Sequence, residues 1–265
     1  MTRSRPPASR WLVEERRRRI VELLQTRQRL TVDELTREFQ VSGVTVRHDL
    51  DALARAGKIV RTHGGALRTL EPFPDAPLDV KETLHRAEKV RIGRAAAALI
   101  PDGATIIIDS GTTTMEIARH IRILSLHALT VITNALTVAL ELSHLPTVRV
   151  VMIGGDIRQM SASAVGPIAE RTLRTLNADT LFLGADALDL ELGITTPDTH
   201  EAHVNQLMMK AARDVTVVAD SSKFGRRCMS TIAMLADVDR IVTDTGVDAD
   251  TLASLHAMDI EVHVV

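Results

Sequence analysis

Asp109-Ser-Gly-Thr-Thr-Thr114 sets one carboxylate and four hydroxyls within six residues, where an apolar run gives way to a helical pattern. Such a turn aims backbone N–H groups and hydroxyls at one spot, and the start of the following helix adds positive partial charge there. A phosphate or carboxylate fits that spot. The same residues also suit an ordinary strand-to-helix turn whose Ser and Thr only cap the helix. Four more segments offer comparable groups: Thr133-Asn134, Gly154-Gly155, Gly184-Ala-Asp186 and Asp220-Ser-Ser-Lys223. Lys223 would supply a cation for an anionic ligand, Asp186 and Asn134 suit sugar hydroxyls, and glycines let backbone approach a ligand closely. Each segment taken singly is turn chemistry.

A second constellation lies near the front. Thr31, with Glu34 three residues on, is a capping-box pattern that opens a short helix through Phe39, with Val32, Leu35 and Phe39 inward. Gln40-Val-Ser-Gly43 is a tight turn, Ser42 caps a helix over 43–56, and Gly57 stops it. On this helix Val46, Leu50 and Leu53 recur at core spacing. At about 100° per residue Val44, Arg47, His48, Asp51 and Arg55 fall on the opposite side, with Thr45 at its edge. Arg can bond O6 and N7 of guanine, and Thr can meet a base edge or a thymine methyl. Two short helices of this kind fit a helix-turn-helix whose second helix enters the major groove. Lys58–Arg68 follows as a small cationic hairpin turning at Gly64-Gly65, a wing. The candidate DNA-facing residues are Ser42, Val44, Thr45, Arg47 and His48, with Arg61, His63 and Gly64 of the wing. The alternative is a structural three-helix unit with a solvated outer face.

Charge separates the two constellations. Residues 1–70 hold 15 Lys+Arg and 8 Asp+Glu, a net +7; the remaining 17 and 26 leave residues 71–265 at −9. A basic front on an acidic body implies an anionic partner for the front only. Four Phe, one Trp and no Tyr argue against recognition of single strands by base stacking. The lone Cys228 excludes an internal disulfide and fits a reducing, cytoplasmic setting. No run of about 18 apolar residues marks a membrane span, and the first ten residues lack the apolar centre of a signal peptide.

Stepwise along the chain, residues 1–10 read as a disordered basic arm. Residues 13–26 read as a helix with Val13, Ile20, Val21 and Leu24 on one side and the run Arg16–Arg19 as a basic flank, one or two of which would touch phosphate. Residues 11–69 form the DNA-binding unit, 70–79 a stiff Pro-rich linker, and 80–265 a larger domain. That domain opens with one helix over Val80–Leu99. Strands and helices then alternate: strands at 105–108, 129–134, 148–153, 180–183, 215–219, 241–243 and 260–265, and helices at 135–145, 167–176, 200–213 and 249–257. Such alternation predicts an α/β fold with a mainly parallel sheet covered on both faces, and ligands collect outside the carboxyl ends of its strands. The five polar segments follow such strands, so they could share one pocket.

Other chemistry finds little footing. His200 and His203 stand i, i+3 with no third metal ligand nearby, which fits a solvated helix face. Gly154-Gly155-Asp156 lacks the G-x-G-x-x-G spacing of a dinucleotide site, and Ser110 lacks a G-x-S-x-G elbow. No cofactor, metal or catalytic nucleophile is expected.

Leu30-Thr-Val-Asp-Glu-Leu35, Val41-Ser-Gly-Val-Thr-Val-Arg-His-Asp-Leu50 and Arg61-Thr-His-Gly-Gly-Ala66 resemble the winged helix-turn-helix of DeoR-type bacterial transcriptional regulators. His48 departs from the pattern, which usually carries a second Arg after Arg47. Asp109–Thr114, Val131–Asn134, Gly154-Gly155 with Arg158 and Ser161, Leu183–Asp186, Thr195-Thr-Pro197 with Glu201, and Ala219–Gly225 are similar to the effector-sensing domain of the same regulators. The resemblance implies a small winged domain joined to a larger α/β domain similar in fold to ribose-5-phosphate isomerase. It also implies binding of a phosphorylated sugar or related metabolite through Asp109, Ser110, Gly111, Thr112, Thr113, Thr114, Asn134, Gly154, Gly155, Asp186, Glu201 and Lys223. The isomerase's Lys-Gly-Gly-Gly motif is not seen; Thr195-Thr-Pro197 stands roughly in its place, implying binding without turnover. The expected protein is a homo-oligomer, dimer or tetramer, that represses carbohydrate-use genes from a double-stranded DNA operator. A transcriptional activator with a non-sugar ligand, a sugar-phosphate isomerase and a structural oligomerisation module are the alternatives.

Overall fold

The computed structural model describes residues 11–27, 29–55, 59–62, 64–68, 75 and 77–265. The chain forms two compact units that divide between residues 72 and 73. The expected basic arm lies outside the described residues, as do Ala56, Gly57, His63 and most of the expected linker, residues 70–74 and 76.

The first unit runs α1 (Val13–Arg27), β1 (Arg29–Thr31), α2 (Val32–Phe39), α3 (Gly43–Arg55), β2 (Ile59–Thr62) and β3 (Gly65–Arg68). The capping box forms: Thr31 Oγ1 accepts the Glu34 N–H at 3.2 Å and Glu34 accepts the Thr31 N–H at 2.7 Å. Gln40 leaves α2 in the left-handed region, φ 53°, and Ser42 Oγ accepts the Thr45 N–H at 3.2 Å to start α3. The wing is antiparallel as read, but β1 adds a third strand on β3, giving the order β1-β3-β2. Gly65 makes that possible, because a Cβ there would collide with the Leu30 carbonyl. Ile20, Leu24, Leu35, Phe39, Val46, Leu50 and Leu53 form the core.

Two readings of α1 are corrected. Val13 is exposed, and Leu23 takes a core place instead. The arginine run is not a uniform solvated flank: Arg16 is buried, its Nε 2.5 Å from Asp49 Oδ2, and Arg17 Nε reaches Asp49 Oδ1 at 3.0 Å. Asp49 on α3 therefore ties the first helix to the third.

The second unit opens with α4 (Leu78–Thr83) and α5 (Arg86–Ala97). The single helix expected over Val80–Leu99 is broken, since Leu84 is extended and His85 left-handed at φ 51°. Pro77 caps α4, so the helix begins inside the stretch expected to be linker. There follow β4 (Thr105–Ile108), α6 (Thr112–Ile121), β5 (Leu129–Thr133), α7 (Leu136–Leu142), β6 (Val148–Met152), β7 (Asp156–Arg158), β8 (Ser163–Val165) and α8 (Pro167–Leu173). The rest is β9 (Ala178–Gly184), β10 (Ala187–Asp189), β11 (Gly193–Thr196), α9 (Thr199–Ala211), β12 (Ala212–Val218), β13 (Ser230–Ala233), β14 (Arg240–Thr243), α10 (Ala249–Ala257) and β15 (Glu261–Val264).

Seven strands pair in parallel in the order β15-β14-β12-β9-β4-β5-β6. Strand alternation divides the core between its faces. Ile106 and Ile108 meet α5, α6 and α7, while Ile107 meets α8, α9 and α10. A β10-β11-β13 sheet and the β7-β8 hairpin, both antiparallel, were not anticipated; their strands are three or four residues long and carry little periodicity.

Candidate functional site

From β4 the chain winds outward through β5 and β6; from β9 it winds the other way through β12, β14 and β15. The connections after β4 and β9 therefore part, leaving a crevice at the carboxyl ends of the two strands. A cleft occupies this position. Asp109–Thr113 line it after β4, Gly184–Asp186 after β9, and Lys223 after β12. Thr196 of β11, Glu201 and Asn205 of α9, Ser161, Lys81 of α4 and Lys89 of α5 complete its polar wall.

Local chemistry orders the turn after β4. Gly111 has φ 142°, a region that side chains disfavour, and it precedes the first turn of α6. No side-chain cap occupies that helix start. Thr114 Oγ1 instead donates back to Gly111 O at 3.0 Å, and Ser110 Oγ donates to Glu201 Oε1 at 3.4 Å. First-turn N–H groups have no acceptor within their helix, and Thr112 and Thr113 border the cleft.

Carboxylates and ammonium groups face each other across the cleft. Lys81 Nζ donates to Asp186 Oδ1 at 2.8 Å and lies 3.5 Å from Asp75 Oδ1. Arg158 donates to Asp75 and to Ser161 Oγ, and its Nη1 lies 3.7 Å from Glu201 Oε2. Thr196 Oγ1 bridges Asp186 and Glu201 at 3.2 and 3.1 Å. Burial would pull the Lys81 ammonium down, but Asp186 outweighs it and the group ends above its ordinary pKa. Burial likewise opposes ionisation of Asp186, yet Lys81 and Lys223 hold it below the usual carboxylate range. Asp109 is pushed well up by burial and by Glu201, and Glu201 is itself raised by burial and Asp186.

Lys89 and Lys223 are different. Among the described residues no carboxylate comes within ion-pair distance of either. Lys89 is buried, donates to Lys81 O at 2.5 Å, and burial lowers its pKa to about 8. Burial lowers Lys223 as well, against the pull of Asp186 and Asp220. Two under-compensated cations beside an open helix start are an arrangement that can hold an anion.

Of the residues read from sequence, the fold brings Asp109, Ser110, Gly111, Thr112, Thr113, Asp186, Glu201 and Lys223 onto one cleft. Thr114 is buried just behind it. Asn134, Gly154 and Gly155 are not among the lining residues: Asn134 Nδ2 donates to Ala164 O at 3.2 Å, and Gly155 packs against Val165 and Ala169. Sequence reasoning missed Lys81, Lys89 and Asn205, and quoted Ser161 and Thr196 only within family-like segments, without a ligand role. Lysines in a helix among arginines carry no mark of which one points inward.

In the first unit α3 presents Val44, Arg47 and His48 to solvent, with Val44 73% exposed. Ser42 is exposed, and Thr45 is half-buried with its Oγ1 2.9 Å from Ser42 Oγ. Gly64 is exposed at the wing turn, and its carbonyl accepts the Val32 N–H at 2.9 Å. Arg61 lies on β2 with its side chain outside the described part, and His63 is outside the described residues altogether. His203 pairs with Glu170 at 3.4 Å; among the described residues no group of three or more His, Cys, Asp and Glu is placed to hold a metal ion.

Residues 16–70 match the DeoR-like helix-turn-helix domain, and residues 84–245 match the DeoR C terminal sensor domain. The chain belongs to the DeoR family. This DeoR-family chain is 39% identical over 254 residues to a putative aga operon transcriptional repressor of Escherichia coli O157:H7, covering 95% of the chain and 93% of the relative. It is 37% identical to the transcriptional repressor AccR of Agrobacterium fabrum (strain C58), covering 88% of the chain and 90% of that protein. A solved ribose 5-phosphate isomerase from Methanocaldococcus jannaschii superposes with a TM-score of 0.39 at 17% identity, over 52% of the chain and 54% of the enzyme. The DeoR-family chain is thus a transcriptional regulator with a helix-turn-helix DNA-binding unit and a separate small-molecule sensor unit. Among the described residues no helix is long and apolar enough to cross a membrane.

Proposed function

We propose that this regulator is a cytoplasmic repressor of carbohydrate-use genes, released from its operator by a phosphorylated sugar or a related polyhydroxylated anion, and that it does no catalysis. The observation that carries the reading is the pair Lys89, buried, and Lys223, half-buried, two ammonium groups without a carboxylate partner among the described residues, on a cleft bordered by the start of α6. A phosphate there would gain both charges and the free N–H groups of the helix. Asp186 and Glu201 accept hydrogen bonds from sugar hydroxyls on the same cleft. The repressor names of the similar proteins support the sign of regulation.

Release needs a ligand that prefers one state, since equal affinity for both shifts nothing. Lys81 and Asp186 provide the means. Both border the cleft, and Lys81 sits on α4, the first element after the stretch that follows the DNA-binding unit. A ligand that takes Asp186 or the lysine for its own hydrogen bonds loosens α4, and the change at this first helix of the sensor unit is what lowers operator affinity. Reading two half-sites calls for a dimer or a tetramer of this chain.

The test is a thermal-shift screen with hexose, pentose and triose phosphates, followed by operator titration with the best binder. A ligand bound only to the folded state raises the melting temperature, and it should then release operator DNA. Turnover of pentose phosphates at enzyme-like rates, or no affinity for duplex DNA at moderate salt, would refute the proposal.

A further inference from the structure

We infer that Asn205 reads an uncharged hydroxyl of the effector and so helps decide which polyhydroxylated anion the cleft accepts. The inference rests on the ligand-binding reading above and deepens it. Asn205 stands one turn after Glu201 on α9, so the two share a helix face, and both line the cleft. Its side chain is only 3% exposed, yet its Oδ1 has no hydrogen-bond partner among the described residues. A buried amide oxygen left in this condition destabilises the fold, and interiors seldom keep one without a use for it.

Its neighbours on the wall do not share the condition. Thr196 Oγ1 lies within hydrogen-bond distance of both Asp186 and Glu201, and Ser161 Oγ lies 2.8 Å from Ser163 Oγ and accepts from Arg158. The unpaired group is thus a particular one, on a residue that lines the cleft. A carboxamide is uncharged and adds nothing to the attraction of a phosphate. It offers a donor and an acceptor side by side, and a hydroxyl both donates and accepts. The carboxylates nearby only accept when ionised. Asn205 therefore complements a neutral sugar hydroxyl, while Lys89 and Lys223 complement the anionic end.

Asn205→Leu keeps the volume and removes both polar atoms. Two measurements on the full-length protein test the inference. First, the ligand-free variant should melt at the same temperature as wild type or higher, because an apolar group replaces an unsatisfied one. A fall of several degrees would mean that the amide is structural, and the inference is then wrong. Second, calorimetric titration should compare glucose 6-phosphate, fructose 6-phosphate, ribose 5-phosphate and inorganic phosphate. The tightest phosphosugar should weaken about tenfold, the loss of a neutral hydrogen bond or two, with inorganic phosphate unchanged. Equal loss on both probes, or none on the phosphosugar, overturns the role of Asn205. If wild type itself does not prefer any phosphosugar to inorganic phosphate, the effector reading fails; if it does and Asn205→Leu keeps that preference, only the assignment of Asn205 fails.

Discussion

Lys81 Nζ and Asp186 Oδ1 meet at 2.8 Å across 105 residues of sequence. One belongs to α4, beside the segment that leads from the DNA-binding unit; the other follows β9 at the heart of the cleft. α4 buries none of its own residues. Ion pairs therefore hold it in place where most helices rely on apolar packing. A helix fastened by charge next to the proposed anion site is one that a charged ligand would loosen.

Lys81→Met should leave Asp186 half-stripped of its counter-charge and lower the stability of the sensor unit by about 1–3 kcal/mol. Operator affinity without ligand should change in the same direction as ligand addition changes it in wild type. Fluorescence anisotropy on labelled operator reads this directly; an unchanged affinity and an unchanged ligand response would detach Lys81 from regulation.

Lys223→Ala and Thr113→Ala should keep operator binding and lose release by the effector. Both residues line the cleft and lie in the sensor unit, away in sequence from the DNA-reading helix. Titrating effector into a preformed operator complex distinguishes the outcomes. Normal release in both variants would place the ligand elsewhere.

Arg47→Ala should cost about 1–3 kcal/mol of operator affinity and relax discrimination at one base pair. Its exposure on α3 beside Val44 leaves it free to enter a major groove. Binding measured over single-base variants of the operator checks it. A uniform loss over all of them would instead mark Arg47 as a phosphate contact.

Asp49→Ala should weaken the first unit by about 3–5 kcal/mol, because Arg16 is left buried with its charge unpaired. Trp11 is the chain's one tryptophan and packs edge-on against Phe39 at 5.4 Å. Its fluorescence during urea unfolding therefore follows this unit. A transition midpoint equal to wild type would show that the pair contributes nothing.

Lys89 makes ligand binding depend on pH. Its pKa in the folded protein is lowered from 10.5 to about 8, so the folded state disfavours the charged form. Below pH 8 the buried charge costs stability in full; between about 8 and 10.5 the unfolded chain binds more protons than the folded one, and stability contributed by this group rises with pH. An anionic ligand needs the ammonium form. Affinity for a phosphosugar should therefore fall as pH rises through about 8, and Lys89→Gln should remove that step while weakening binding at pH 7. Calorimetry at pH 7, 8 and 9 measures both.

Much of this molecule was legible in local pattern. The capping box at Thr31 and Glu34, the inward set Val46, Leu50 and Leu53, and the β4–turn–α6 stretch all depend on neighbours within a few residues, which the sequence displays. The burial of Arg16 was hidden, because an arginine run looks solvated until its partner is known, and Asp49 lies 33 residues away. The break at Leu84-His85 was hidden as well, since neither residue is a helix breaker and the turn is imposed by where α4 and α5 pack.

The sequence alone determined the two-unit organisation, the basic front and acidic body, the alternation of strands and helices, and a polar turn at five strand ends. These follow from composition and from periodicity, which act along the chain. Only the tertiary structure decided which strand ends share a cleft. Strand order placed β9 beside β4 and left the ends of β5 and β6 outside, and it brought Lys81, Lys89 and Asn205 in from helices that carry no site pattern. Strand order is chosen by burial of both sheet faces over the whole domain, and no short stretch of residues encodes that energy.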